Sequence, residues 1–226
     1  MRQVILDTET TGLEPEKGHR IIEIGCIEMV NRRLTGEYFH TYLNPERLID
    51  PDAINVHGLT DEFVRDKPLF KDIKEELLNF LQGAELVIHN APFDIGFLNH
   101  ELKLLDKAHL PITEFCRVID SLALARQLHP GQRNNLDALC QRHHVDNSDR
   151  NLHGALLDAK LLAQVYLSMT GGQTTMFAQE QTQVIKTEHA KIEIRRLVED
   201  RLPLKIIPAT ATELAEHEKY IAEIAS

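Results

Sequence analysis

The stretch Val4-Ile5-Leu6-Asp7-Thr8-Glu9-Thr10-Thr11-Gly12-Leu13 decides the fold. It is an apolar run that ends in two acids two residues apart. Gln3 to Glu9 reads as a strand, and its mostly apolar character places it centrally in a sheet. Residues two apart on a strand project from the same face, so Asp7 and Glu9 point together. An Asp-x-Glu pair by itself is commonplace. Here it closes a central strand and precedes Thr-Thr-Gly, a loop whose free backbone N–H groups can face an anionic ligand.

Two further segments carry acids in comparable places. His89-Asn90-Ala91-Pro92-Phe93-Asp94 follows the apolar triplet Leu86-Val87-Ile88, so Asp94 opens a helix after a short buried strand. Taken alone, Asp94 is an N-cap carboxylate. His153-Gly154-Ala155-Leu156-Leu157-Asp158-Ala159 opens an apolar-periodic stretch, where a lone Asp158 reads as part of a solvated face. On one continuous helix, residues five apart are separated by ~140°. His153 and Asp158 therefore converge only if His153 lies at or before the helix start, a position that Gly154 favours. A loop histidine is usually just exposed; beside an acid cluster it suits a general base, titrating close to neutral pH. Four converging carboxylates repel one another unless a cation holds them. Together, Asp7, Glu9, Asp94, His153 and Asp158 point to a metal-dependent enzyme acting on phosphate esters.

The rest of the chain fits one α/β domain over residues 1–170. Strands are expected at Ile21–Val30 and Glu37–Leu43, either side of a turn at Asn31-Arg32-Arg33, and at Phe115–Asp120. Helical periodicity covers Asp72–Leu81, Asp94–Leu105, Ser121–Leu128, Leu136–His143 and Gly154–Met169. Three strands, then strands alternating with helices, imply an α/β fold: a mixed sheet of about five strands flanked by helices. Residues 171–191, rich in Gln and Thr, read as a flexible linker. In 192–226, Thr210-Ala211-Thr212-Glu213 has the form of a capping box opening a helix to about Ile224. This tail holds too few apolar residues to fold alone and reads as a docking segment.

The net charge of −10 argues against a free-standing nucleic-acid binder and for one tethered to a partner already on the nucleic acid. No run approaches the ~18 apolar residues of a membrane span. A cleaved leader is not expected, because Met1-Arg2-Gln3 runs straight into the first strand. Cys26, Cys116 and Cys140 are widely spaced and read as reduced cysteines of a cytoplasmic protein.

The three acid-bearing segments resemble the motifs of the DEDD exonucleases of the ribonuclease-H-like fold, in the subgroup with His before the last Asp. Asp7 and Glu9 match the first motif, Asp94 the second, and His153 with Asp158 the third. Over essentially the whole chain, the sequence is similar to the proofreading subunits of bacterial DNA polymerase III. The resemblance implies 3′-to-5′ hydrolysis of DNA 3′ ends, releasing nucleoside 5′-monophosphates. It also implies two Mg²⁺ or Mn²⁺ ions held by Asp7, Glu9, Asp94 and Asp158, with His153 as the base. Thr8, Thr10, Thr11 and Leu13 would line the pocket of the terminal nucleotide, with Asp52 and His57 contacting it.

Gln173-Thr174-Thr175-Met176-Phe177 resembles the short peptide by which bacterial replication proteins bind the sliding clamp. Met176 and Phe177 would fill an apolar pocket while the Gln173 amide fixes orientation. The remaining tail resembles the segment that holds the polymerase alpha subunit, and a small third core subunit is a further implied partner. Two rivals stand beside this reading. One is an exoribonuclease of the same family, although such relatives usually end soon after the third motif. The other is a mainly structural subunit, which would have no need of crowded carboxylates.

Overall fold

The computed structural model describes residues 1–148, 150 and 152–171, with 210, 212–214, 217 and 221–222 near the C-terminus. The chain divides into two units, Met1–Met176 and Phe177–Ser226. The first is a five-stranded sheet in the order β3-β2-β1-β4-β5. Its strands are β1 (Arg2–Thr10), β2 (Ile21–Val30), β3 (Arg33–Tyr42), β4 (Glu85–Ile88) and β5 (Arg117–Asp120). β1 pairs antiparallel with β2 and parallel with β4, so it lies centrally, as its apolar run requires. The β2–β3 hairpin turns through Asn31 and Arg32, both at positive φ (50° and 64°).

Alternation along β1 divides the core. Val4 and Leu6 face α3 (Phe70–Leu81) and α4 (Ala91–Leu105), packing with Leu77, Phe97 and Leu98. Ile5 faces α6 (Leu136–Arg142) and α7 (Ala155–Thr170), packing with Leu139, Ala159 and Leu162. α5 (Ser121–Leu128) adds Ala125 to the second layer. A smaller cluster of Ile22, Ile49 and Val64 sits beneath α1 (Pro51–His57) and α2 (Asp61–Val64), two short helices the periodicity did not signal.

Three local devices position the later site. α4 begins three residues before Asp94, with Asn90 as N-cap in the left-handed region (φ 67°) and Pro92 in the first turn. Asp94 is therefore not the N-cap expected of it but a buried residue one turn inside. Arg20 grips Glu101 of α4 through two hydrogen bonds of 2.8 and 2.7 Å, tying α4 to the start of β2. Gly25 of β2 lets α7 lie directly on the sheet, because a Cβ there would overlap Leu156 N and the Ala155 backbone.

In the second unit, Thr210 N donates to Glu213 Oε2 (2.7 Å) and Glu213 N to Thr210 Oγ1 (3.3 Å), the reciprocal pair of a capping box. Residues 212–214 continue as helix. Among the described residues, no helix is long and apolar enough to cross a membrane.

Candidate active site

The acids meet at the C-terminal end of β1. Asp7 and Glu9 share the Ile5 face and turn toward α7, while Thr8 faces α4. Asp7 lies opposite Gly25 in the β1–β2 register, so the strand's acid and the first turn of α7 meet where no side chain intervenes. Asp158 belongs to that turn, and its N–H bonds the carbonyl of Gly154, the N-cap residue. His153 lies before the helix, its backbone N–H donating to Val56 O (3.1 Å). That is the placement which convergence with Asp158 demanded.

All five expected residues line one cavity of about 280 Å³, together with Thr8, His89, Phe93, Asp137 and Arg150. Glu9, Asp94 and Asp158 are buried, and Asp7 is partly exposed. Thr8 Oγ1 donates to Asp94 Oδ1 at 2.7 Å. Burial and mutual repulsion raise the carboxyl groups. Asp7 stands well above the ordinary carboxylate range through burial, with repulsion from Asp94, Glu9 and Asp158 added. Glu9 rises to about 8 through burial, then repulsion from Asp158 and Glu23. Asp94 rises to about 7, again chiefly through burial, with the Thr8 hydrogen bond opposing. Glu9, His153 and Asp158 each bring a potential ligand atom within 4.8 Å of one another. Hard oxygen donors that repel one another in a concave, buried place fit a divalent cation.

Sequence reasoning missed Arg150 and Asp137. Arg150 donates from Nε to Asp158 Oδ1 and from Nη2 to Asp158 Oδ2, each at 2.6 Å. Its Nη1 reaches Asp137 Oδ1 at 2.6 Å, and Nη2 lies 3.1 Å from His153 Nδ1. No motif or spacing marks either residue, because the contacts cross between a loop and two helices.

A second cavity of about 380 Å³ adjoins the first through Thr8, Glu9 and Phe93. Thr10, Leu13, Asp52 and His57, which the resemblance assigned to the terminal nucleotide, line it with Gly12, Asp50, Ala53 and Val56. Leu13 is 78% exposed, an apolar lip on the opening. His57 is buried, and burial lowers its pKa. Its Nδ1 accepts from Leu59 N (3.0 Å), which leaves Nε2 with the proton and, among the described residues, no hydrogen-bond partner.

Thr11 departs from expectation. It is fully buried, its Oγ1 accepts from Arg20 N (3.0 Å), and its own N–H donates to Arg20 O (2.9 Å). It braces the loop from behind, so neither its side chain nor its N–H faces a ligand. Gln173, Met176 and Phe177 lie outside the described residues.

Comparison with known proteins gives the family. Residues 4–166 match the family model described as Exonuclease. DNA polymerase III subunit epsilon of Salmonella typhimurium is 56% identical, over 97% of this chain and 92% of its own length. The chain belongs to this exonuclease family, in its epsilon-subunit branch.

Other epsilon subunits are similar along nearly the whole chain. That of Escherichia coli is 55% identical over 96% of this chain and 90% of its own length. That of Rickettsia felis is 49% identical over 99% and 97%. Among solved structures, Exonuclease X in complex with 5′ overhanging duplex DNA superposes with TM-score 0.59 at 27% identity, covering 76% of this chain and 92% of that one. The nuclease domain of 3′hExo, a DEDDh family member bound to rAMP, superposes with TM-score 0.63 at 21% identity, over 74% and 90%, and shows the shared fold. Like its exonuclease relatives, the chain is a metal-dependent 3′–5′ exonuclease.

Proposed function

We propose that this chain removes mismatched 3′-terminal nucleotides from DNA as the proofreading subunit of a replicative DNA polymerase III core. The observation that carries the reading is the single cavity lined by Asp7, Glu9, Asp94, His153 and Asp158, beside a second cavity of about 380 Å³. Asp7, Glu9, Asp94 and Asp158 would hold two divalent ions, Mg²⁺ or Mn²⁺, which would neutralise phosphate charge and acidify the attacking water.

The chain's own residues do the rest. Thr8 holds Asp94 in place through its hydrogen bond. His57 donates from Nε2 to the terminal nucleotide, satisfying a buried donor that has no protein partner among the described residues. Leu13 and Phe93 offer apolar walls for its base. His153 takes the proton of the attacking water at Nδ1, the ring nitrogen turned toward Asp158 Oδ2 (3.6 Å). The new bond joins that oxygen to phosphorus. The bond from phosphorus to the 3′ oxygen breaks, that oxygen takes up a proton, and nucleoside 5′-monophosphate is released.

Residues 1–170 carry the catalysis, 171–191 act as a linker, and 192–226 hold the polymerase alpha subunit. Gln173, Met176 and Phe177 engage the sliding clamp. Such tethering fits the net charge of −10, which disfavours unaided DNA binding.

The test is cleavage of a 5′-labelled single-stranded DNA oligomer with Mg²⁺, comparing wild type, Asp7→Ala and His153→Ala. The expected result is a ladder shortening from the 3′ end, abolished by Asp7→Ala and slowed roughly 10²–10⁴-fold by His153→Ala. Faster cleavage of a matched RNA oligomer overturns the DNA assignment. No cleavage of either leaves a structural subunit.

A further inference from the structure

The Arg150 guanidinium bonds both oxygens of an acid that a divalent ion needs and the ring nitrogen that a proton-accepting histidine needs. Asp158 offers two carboxylate oxygens, and Arg150 takes both at 2.6 Å. A guanidinium can only donate hydrogen bonds, so its 3.1 Å contact with His153 Nδ1 engages that nitrogen's lone pair. Two of the three groups brought within ligand distance, Asp158 and His153, are thus satisfied by one side chain of this protein. Arg150 is itself held from behind by Asp137 Oδ1 on α6, whose side chain is 48% exposed and no part of the acid cluster. The Arg150 side chain is 6% exposed, well packed and not a wandering surface group.

We propose that Arg150 is the resident cation of this site, a positioning residue that binds Asp158 and His153 in the metal-free protein and yields Asp158 when a divalent ion binds. The inference rests on the metal-dependent reading above. An ionised carboxylate in a buried place needs a positive partner, and a planar fork matches it in both geometry and charge. Metal and guanidinium compete for the same two Asp158 oxygens, so binding one weakens the hold of the other. Asp137 gives the displaced guanidinium an anchor, and His153 Nδ1 is freed in the same movement. The general base is therefore uncovered only when metal is present, which keeps the metal-free site closed.

The experiment is Mn²⁺ titration by calorimetry, with thermal melts in EDTA, for wild type, Arg150→Gln and Arg150→Lys. Arg150→Gln removes the competitor, and the Mn²⁺ dissociation constant is expected to fall about tenfold or more. In EDTA the same variant melts several degrees lower, and Mn²⁺ restores more of its stability than it adds to wild type. Arg150→Lys keeps the charge but cannot fork, so its affinity falls between the two. Equal Mn²⁺ affinity in wild type and Arg150→Lys assigns the effect to nearby charge and overturns the shared-oxygen argument. Unchanged or weaker affinity in Arg150→Gln, or its failure to fold joined to a wild-type-like Lys variant, overturns it as well. Wild type that binds no Mn²⁺ instead overturns the underlying metal reading, a distinct outcome.

Discussion

Thr8 on β1 and Asp94 on α4 are joined by a buried hydrogen bond of 2.7 Å, from Oγ1 to Oδ1. It ties the strand that carries Asp7 and Glu9 to the helix that carries Asp94. It also works against the burial that raises Asp94 to about 7. Thr8→Val keeps the shape and removes the donor, so the Asp94 carboxyl rises further. A hydrogen bond to a charged group contributes about 1.5–3 kcal/mol. The acidic limb of the kcat/KM profile is expected to move upward by about one pH unit. A profile that superposes on wild type would exclude a part for Thr8 in tuning Asp94.

The raised carboxyl groups make the metal-free protein sensitive to alkali. Glu9 at about 8 and Asp94 at about 7 hold protons in the folded state that the unfolded chain has already released. Between the ordinary carboxylate range and those values, the folded state binds more protons than the unfolded one. Stability from these groups is complete below about pH 4 and is lost as pH rises through about 7 to 8. A divalent ion binds the ionised forms and reverses the trend. Melting temperatures in EDTA are expected to fall from about pH 6 to 8.5, while the gain on adding Mn²⁺ grows over the same window. An EDTA series that rises with pH would contradict the assigned shifts.

Much of this was legible in the sequence, for definite reasons. β1 announces itself because apolar residues at Val4, Ile5 and Leu6 leave no solvent face, and its acids sit where strands end. The convergence of His153 on Asp158 follows from helix geometry once Gly154, between them, caps α7 and leaves His153 outside it. What escaped was contact between distant segments. Arg150 lies three residues from His153, but nothing local says that it turns onto Asp158 and Asp137. Thr11 looks in sequence like Thr10, yet Thr10 lines the pocket and Thr11 binds Arg20 behind it. The start of α4 had a signal that went unused, since Pro92 belongs in a first turn and places Asp94 inside the helix.

Gly25 and Gly96 are expected to respond oppositely to alanine. A Cβ at Gly25 overlaps the backbone of Ala155 and Leu156, so α7 must lift from β2 and carry Asp158 with it. Overpacking of this kind costs about 1–3 kcal/mol, and a displacement near 1 Å at the chemistry costs about 10²-fold in rate. Gly96 lies within α4, and a Cβ there meets nothing within 4 Å. Gly96→Ala should stabilise by roughly 0.5–1 kcal/mol with unchanged activity. Urea unfolding and kcat/KM on the same samples check both. An active, stable Gly25→Ala would mean that α7 does not depend on this close approach.

The Arg20–Glu101 pair is a second tie whose removal is costly from one side only. Glu101 is 1% exposed and also accepts from Ile21 N at 3.2 Å. Arg20→Ala leaves that carboxylate buried without its cation, for a loss of about 3–5 kcal/mol. Arg20→Met with Glu101→Leu removes both charges and is expected to lose far less. Urea midpoints compare the three proteins. A double variant as unstable as the single one would show that packing, and not the stranded charge, sets the cost.

Mismatched 3′ ends are expected to react faster than matched ones, and the reason lies in the shape of the site as much as in the DNA. The acids lie inside a cavity of about 280 Å³, and a second cavity of about 380 Å³ adjoins it. A paired terminal nucleotide must leave its partner before His153 and the acids can reach its phosphate. Separation costs on the order of 1.4 kcal/mol for each base-pair step opened, or about tenfold in rate. Net charge of −10 gives the chain little with which to offset that cost by gripping duplex. Single-turnover rates on primers ending in a matched or a mismatched pair are therefore expected to differ by about tenfold or more. Single-stranded DNA should be cut at least as fast as the mismatch. Equal rates on the two primers would mean that the duplex opens before it binds, and that discrimination lies outside this active site.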